Sequence, residues 1–206
     1  MMEQRTPEWF SARIGKATAS RIADIVAKTK SGYSTSRANY MAELICERLT
    51  GMQGASFSSA AILWGIEKEP EARAAYEDAV GQLVVETGFI PHSSIAMSGA
   101  SPDGFVGDDG LVEIKCPLTA THIDTLLDQN VPKKYVTQMQ WQMACTGRKW
   151  CDFVSFDPRM PENMRTFIKR VERDDAVIAE FEKEVKSFLE ELDVKIAQLK
   201  ERADGL

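Results

Sequence analysis

The stretch Ser101-Pro102-Asp103-Gly104-Phe105-Val106-Gly107-Asp108-Asp109-Gly110-Leu111-Val112-Glu113-Ile114-Lys115-Cys116-Pro117 reads as a hairpin. Its turn, Gly107-Asp108-Asp109-Gly110, combines the residues that tolerate left-handed backbone between two apolar runs. Side chains alternate along a strand, so Glu113 and Lys115 share one face while Val112, Ile114 and Cys116 share the other. Pairing the arms brings Asp103 alongside Glu113. Two converging carboxylates are hard oxygen ligands suited to Mg²⁺ or Mn²⁺, and a neighbouring lysine can orient a water for attack on phosphorus. The bland alternative is a turn-capping aspartate and an exposed Glu-Lys pair. Against it, the strand is otherwise apolar, and unpaired charge on a buried element is costly.

Working outward, three strands are predicted in this region: Leu83 to Phe89, Ile95 to Ser98 continuing toward Ser101, and Leu111 to Cys116. Two more follow at Trp150 to Phe156 and Thr166 to Val171. Helices are predicted around them. Thr6-Pro7-Glu8 is a capped start for a short helix ending near Gly15, and a second runs from Thr18 or Ser20 to Ala27. A polar, mobile loop is expected over Lys28 to Ser36. Arg37 to Leu49 repeats apolar residues at helical spacing, and residues 51 to 59 read as another loop. Ala60 to Val80 forms a long helix in which Pro70 marks a kink or a new first turn. Tyr135, Met139 and Met143 lie on one helical stripe, and a terminal helix covers Ala176 to Leu199. Helices flanking a central group of strands, without strict alternation, indicate a mixed α/β (α+β) class in one domain over residues 1–206.

Composition limits the chemistry. At 44% hydrophobic and 27% charged residues, the 206-residue chain has the makeup of a folded domain rather than a disordered one. The N-terminus lacks the order of a signal peptide and no run of about eighteen apolar residues occurs, so a cytoplasmic location without membrane contact is expected. With only two histidines, His92 and His122, a His-rich zinc site or a Ser-His-Asp triad is disfavoured. Cys46, Cys116, Cys145 and Cys151 are irregularly spaced and read as core thiols. The net charge of −6 argues against coating DNA by bulk electrostatics, though not against a local basic channel.

A third acid, Glu69, lies four residues before Arg73, hence on one helical face, where the plain reading is a surface ion pair. With it, six motifs stand in order: Arg13-Ile14-Gly15 with Thr18-Ala19-Ser20; Trp64-Gly65 with Glu69 and Arg73; Ser101-Pro102-Asp103-Gly104; Glu113-Ile114-Lys115-Cys116-Pro117; Gln138-Met139-Gln140; and Asp157-Pro158-Arg159-Met160. In these the chain resembles lambda exonuclease and the YqaJ-type viral recombinases of the PD-(D/E)xK nuclease superfamily.

The resemblance implies a restriction-endonuclease-like fold, a central mixed β-sheet flanked by helices. It implies that Asp103, Glu113, the main-chain carbonyl of Ile114 and the helix-borne Glu69 hold two Mg²⁺ ions, with Mn²⁺ as a substitute. Lys115 would position the attacking water, and Gln140 would be the active-site glutamine. Arg13, Ser20 and Ser101 would form a pocket for a terminal 5′-phosphate, a role that suits a guanidinium fork and hydroxyls, while Ser20 alone also reads as a helix cap. Ile62 and Leu63 would wedge apart the end of the duplex.

The function so implied is a processive 5′-to-3′ exonuclease on double-stranded DNA ends. It would leave 3′ single strands for a single-strand annealing protein in phage-type recombination, in a phage or prophage-bearing bacterium. A homotrimer ring with Lys28, Lys30, Lys133, Lys134 and Arg148 lining its channel would reconcile the acidic charge with DNA binding. One branch of the superfamily carries an iron-sulfur cluster, but the cysteine pattern here supplies only part of its ligand set, so none is expected. Two alternatives stay open: a PD-(D/E)xK endonuclease that restricts DNA or cuts junctions, and a catalytically inactive DNA-end or protein-binding module.

Overall fold

A computed structural model describes residues 3–54 and 59–205. Met1, Met2 and positions 55–58 of the loop expected at 51–59 lie outside the described residues.

In chain order the elements are α1 (Pro7–Arg13), β1 (Ala17–Thr18), a 3-10 turn (Ala19–Arg21), α2 (Ile22–Val26), β2 (Lys28–Thr29), β3 (Gly32–Tyr33), α3 (Thr35–Thr50), α4 (Ala60–Val80), β4 (Val84–Val85), β5 (Ile90–Pro91) and β6 (Ser98–Ala100). There follow β7 (Gly104–Val106), β8 (Gly110–Lys115), α5 (Thr119–Asp128), α6 (Lys133–Thr146), β9 (Trp150–Phe156), β10 (Thr166–Glu172) and α7 (Asp175–Asp204). The main sheet has the order β10-β9-β8-β7-β4, and its β8-β9 pair is parallel while the other pairs are antiparallel. A smaller sheet has the order β1-β6-β5.

Alternation along β8 decides the layers. Val112, Ile114 and Cys116 pack with Val154 and Phe156 under Ala72 and Tyr76 of α4. Leu111 points the other way, into Met139 and Met143 of α6, with Cys151, Phe153 and Phe167. A mixed α/β fold with helices on both faces of a central mixed sheet is therefore present, as expected. A third cluster joins α2, α3 and α7 to the far side of α6 through Ile22, Ile25, Leu44, Trp141 and Phe188. The long helices α3, α4 and α7 match their sequence patterns, and α4 runs unbroken through Pro70. Cys116, Cys145 and Cys151 fall in three different clusters, as core thiols do, but Cys46 departs from expectation and is exposed on α3.

The short elements differ from expectation, each for a visible reason. The strand predicted over 83–89 shortens to β4 because side chains capture the backbone beyond it. Gln4 Nε2 donates to the Thr87 carbonyl at 2.9 Å, and Thr87 Oγ1 donates to that of Pro102 at 3.0 Å. The strand predicted from Ile95 begins instead at Ser98, after a turn closed by Ser98 N–H donating to the Ile95 carbonyl at 3.0 Å. The predicted helix from Thr18 or Ser20 begins later, at Ile22, because Ala17 and Thr18 pair in parallel with Ser98 and Gly99. Residues 28–33 form the β2-β3 hairpin rather than a loop, anchored where Lys28 and Tyr33 both reach Glu184, at 2.6 and 2.7 Å, and Thr35 and Ser36 already belong to α3. Helix α5 was not anticipated. It is fixed by the fully buried His122, whose ring nitrogens lie 2.8 Å from Ser155 Oγ and 2.8 Å from the Met164 carbonyl.

Candidate active site

The β7-β8 register sets Gly104 opposite Val112, so Asp103 stands level with Glu113 at the end of the hairpin. Asp103 Oδ2 accepts the Ile114 N–H at 2.6 Å, which fixes the carboxyl beside the strand. Glu113 is 1% exposed, and a carboxylate buried to that degree needs hydrogen-bonding partners. Three donors engage it: Gln138 Nε2 at 2.7 Å, Gln142 Nε2 at 2.5 Å, and the Lys115 ammonium as an ion pair. Gln138 and Gln142 are four apart on α6, so one helical face presents both amides to the strand.

The electrostatics follow from this packing. Burial raises the Asp103 pKa well above the usual carboxylate range, with further upward pushes from Glu113 and Glu69 that Lys115 only partly offsets. Burial alone would lower Lys115, but Glu113 and Asp103 outweigh it and keep the amine protonated well above its usual range. Its Nζ also lies 5.3 Å from the Tyr135 ring centroid. The site thus holds closely packed carboxylates with too little positive charge nearby, a donor set of hard oxygens that fits a divalent cation.

Glu69, on the face of α4 expected for it, reaches the rim of this cluster. Its oxygens are engaged by Arg5, and by Arg73 at 3.6 Å, while Arg73 also pairs with Glu86. Among the described residues no group of three His, Cys, Asp or Glu side chains converges as a ready-made metal cage. Asp103 and Glu113 therefore form the centre, and Glu69 stands outside it.

Gln140 is not brought into the site. Its Nε2 donates to the Glu172 carbonyl at 2.7 Å and its Oε1 accepts the Asp174 N–H at 3.0 Å, so it fastens α6 to the start of α7. The glutamines that touch the acid are Gln138 and Gln142, and their i, i+4 spacing was the available signal. Asp157, by contrast, ends β9 as a structural clamp. Burial would raise its carboxyl, but hydrogen bonds from Arg159 and Thr119 prevail and bring it to about 2. Arg159 in turn lies 4.3 Å above the Trp64 ring and donates to the Pro117 carbonyl at 3.3 Å, tying the end of β8 to α4.

Beside this centre lies a cleft of about 560 Å³ lined by Arg13, Lys16, Thr18, Ser20, Tyr40 and Glu47 among others. Arg13 Nη1 donates to Ser101 Oγ at 3.1 Å, Trp9 Nε1 donates to the same oxygen at 3.0 Å, and the guanidinium lies 4.1 Å over the Trp9 ring. Among the described residues Arg13 forms no ion pair. Its charge is offset only in part, since the Glu47 and Glu43 carboxylates line the same cleft, and a guanidinium beside hydroxyls is chemically an anion site. Ser20 lies exposed in the 3-10 turn on the cleft wall, and Ser101 joins the cleft through Arg13. Ile62 and Leu63 are 52% and 57% exposed on the first turn of α4. Of the expected channel residues, Lys28 pairs with Glu184, and Arg148 donates to the Gly107 carbonyl at 2.6 Å.

Comparison with known proteins bears on the family and the fold. Residues 8–149 match the YqaJ-like viral recombinase domain. A search of curated proteins returns no significant match. The crystal structure of the alkaline exonuclease LHK-Exo from Laribacter hongkongensis is similar at 56% identity and TM-score 0.92, over 97% of this chain and 99% of that one. The structure of LHK-Exo in complex with dAMP matches with the same values, 56% identity, TM-score 0.92 and coverage of 97% and 99%. A phage-related exonuclease from Haemophilus somnus 129PT shares the fold at 17% identity and TM-score 0.74, covering 89% of this chain and 96% of that one.

Proposed function

Because the chain belongs to the YqaJ-like viral recombinase family, we propose that it is a divalent-metal-dependent exonuclease that degrades the 5′-ended strand of double-stranded DNA processively from phosphorylated ends. The observation that carries this reading is the buried pair Asp103 and Glu113, pushed together on one hairpin with Lys115 beside them. The 56% identical LHK-Exo, an alkaline exonuclease that binds dAMP, supports a nucleotide product of DNA cleavage.

In this reading Asp103, Glu113 and the Ile114 carbonyl hold Mg²⁺ or Mn²⁺, with Glu69 alongside. Such an ion supplies Lewis acidity at the phosphodiester and lowers the pKa of water. Gln138 and Gln142 keep the Glu113 carboxylate in one orientation by donating to both of its oxygens. The Lys115 ammonium, anchored by Glu113, points a proton at the attacking water and holds it in line. Arg13, with Ser101 and Ser20, receives the terminal 5′-phosphate, and the exposed Ile62 and Leu63 stand ready to part the last base pairs.

The 206 residues form one nuclease domain in this account, working as a homotrimer ring in the cytoplasm of a bacterial host, with phage or prophage origin. The product 3′ strand passes to a single-strand annealing protein. Lys115→Ala tests the chemistry: cleavage of linear duplex should fall by about 10²- to 10⁴-fold while Mn²⁺-dependent DNA binding persists. Cleavage near the wild-type rate would remove Lys115 from the reaction.

A further inference from the structure

The segment ahead of α1 touches both the loop that carries Asp103 and the helix-borne Glu69 at the rim of the acidic centre. Gln4 Nε2 donates to the carbonyl of Pro102, the residue preceding Asp103, at 2.8 Å, and to that of Thr87 at 2.9 Å. The next residue, Arg5, pairs with Glu69 on α4. Between them the backbone takes φ 65° at Arg5, a left-handed conformation disfavoured for a residue with a Cβ and retained where surrounding contacts over-determine it. Thr6 then caps α1 by accepting the Trp9 N–H at 3.3 Å, and the Trp9 indole reaches Ser101 on the same loop as Asp103.

We propose that Gln4 and Arg5 are positioning residues of the metal site. Gln4 sets the height of the Asp103 loop, and Arg5 holds Glu69 facing the centre. The argument rests on the reading that these carboxylates hold a divalent cation. Arg73 is divided between Glu69, at 3.6 Å, and Glu86, so the close charge on Glu69 comes from Arg5. Without Arg5 the Glu69 carboxylate faces the field of Asp103 and Glu113 with one distant guanidinium, and repulsion favours rotamers turned outward. The left-handed turn is what lets adjacent residues reach two elements at once.

The test uses the full chain and two readouts, Mn²⁺ binding by calorimetry without DNA and steady-state cleavage of 5′-phosphorylated duplex. Arg5→Ala should raise the Mn²⁺ Kd by about tenfold or more, as loss of an outer-shell partner does. It should lower kcat comparably with KM little changed, and Arg5→Lys should recover part of both. Gln4→Ala should act in the same direction.

An unchanged Mn²⁺ Kd in Arg5→Ala overturns the proposal. If KM alone rises, Arg5, whose side chain is 42% exposed, contacts the DNA backbone instead; if only thermal stability falls, the segment is structural. Asp103→Asn separates the premise from the inference, because wild-type Mn²⁺ binding in that variant would refute the metal site itself.

Discussion

At Asp103, burial and the Glu113 carboxylate both favour the protonated form, so the folded state binds a proton that the unfolded chain releases. Its folded pKa is raised, and stability is therefore lost as pH rises from the ordinary carboxylate value through the raised one. Without metal, Asp103→Asn should increase the unfolding temperature at neutral and alkaline pH by about 2–4 °C for each kcal/mol relieved. The gain should vanish below about pH 4, near the unperturbed value, and shrink when Mn²⁺ is added to the wild type, while cleavage is abolished. Thermal unfolding in chelator across that pH range checks the claim, and an unaltered or lower melting temperature at pH 8 would contradict it. The identities of Asp103, Glu113 and Lys115 were legible in the sequence because a strand has a two-residue period and a turn with four special residues fixes its start. The pairing of Arg5 with Glu69 was not, since the two lie 64 positions apart.

Helix α6 shows where legibility stops at the scale of elements. Its helical character and apolar stripe were evident, yet Gln138, Gln140 and Gln142 alternate around the cylinder, and which of them meets the sheet depends on rotation set by tertiary packing. Trp141 and Met139 enter different clusters, on opposite sides of the helix, and this fixes that rotation. Gln142→Leu removes a donor from buried Glu113 and should lower kcat by about 10- to 100-fold, the range for outer-shell partners. Gln140→Ala removes two tertiary hydrogen bonds and should cost about 1–3 kcal/mol of stability with kcat near wild type. Kinetics and denaturant melts on the two variants check this, and the reverse pattern would restore Gln140 to the site. Long elements such as α4 and β9 declared themselves through repetition. The two-residue strands did not, because their limits are set by particular contacts, such as Gln4 capturing Thr87 beyond β4 and the parallel pairing of Ala17 with Ser98.

Over the whole molecule, the charge of −6 sits uneasily with a DNA substrate until the local distribution is considered. Acidic residues dominate α7, whereas Arg13, Lys16 and Arg21 line the cleft together with Glu43 and Glu47; Glu43 is taken up by Arg21, and Arg13 donates to the neutral Ser101. Local charge of this kind draws in one phosphate rather than coating a duplex. Arg13→Ala should reduce the preference for 5′-phosphorylated over 5′-hydroxyl ends by about tenfold or more, the weight of a charge-assisted hydrogen bond. A ratio equal to wild type, measured on matched substrates, would place the phosphate elsewhere. The overall architecture was legible because the hairpin, the flanking helices and six ordered motifs agreed; the bonding that orients each acid arose from contacts between distant segments.

The most direct measurement is strand-resolved digestion of three DNAs, a linear duplex with one 5′-phosphorylated end, the same duplex with 5′-hydroxyl ends, and a covalently closed circle, each in Mg²⁺ and in chelator. Mg²⁺-dependent release of mononucleotides from the phosphorylated strand alone, with the circle intact, is the expected result. Cutting of the closed circle would identify an endonuclease, and binding without any cutting in Mg²⁺ would contradict the account as a whole.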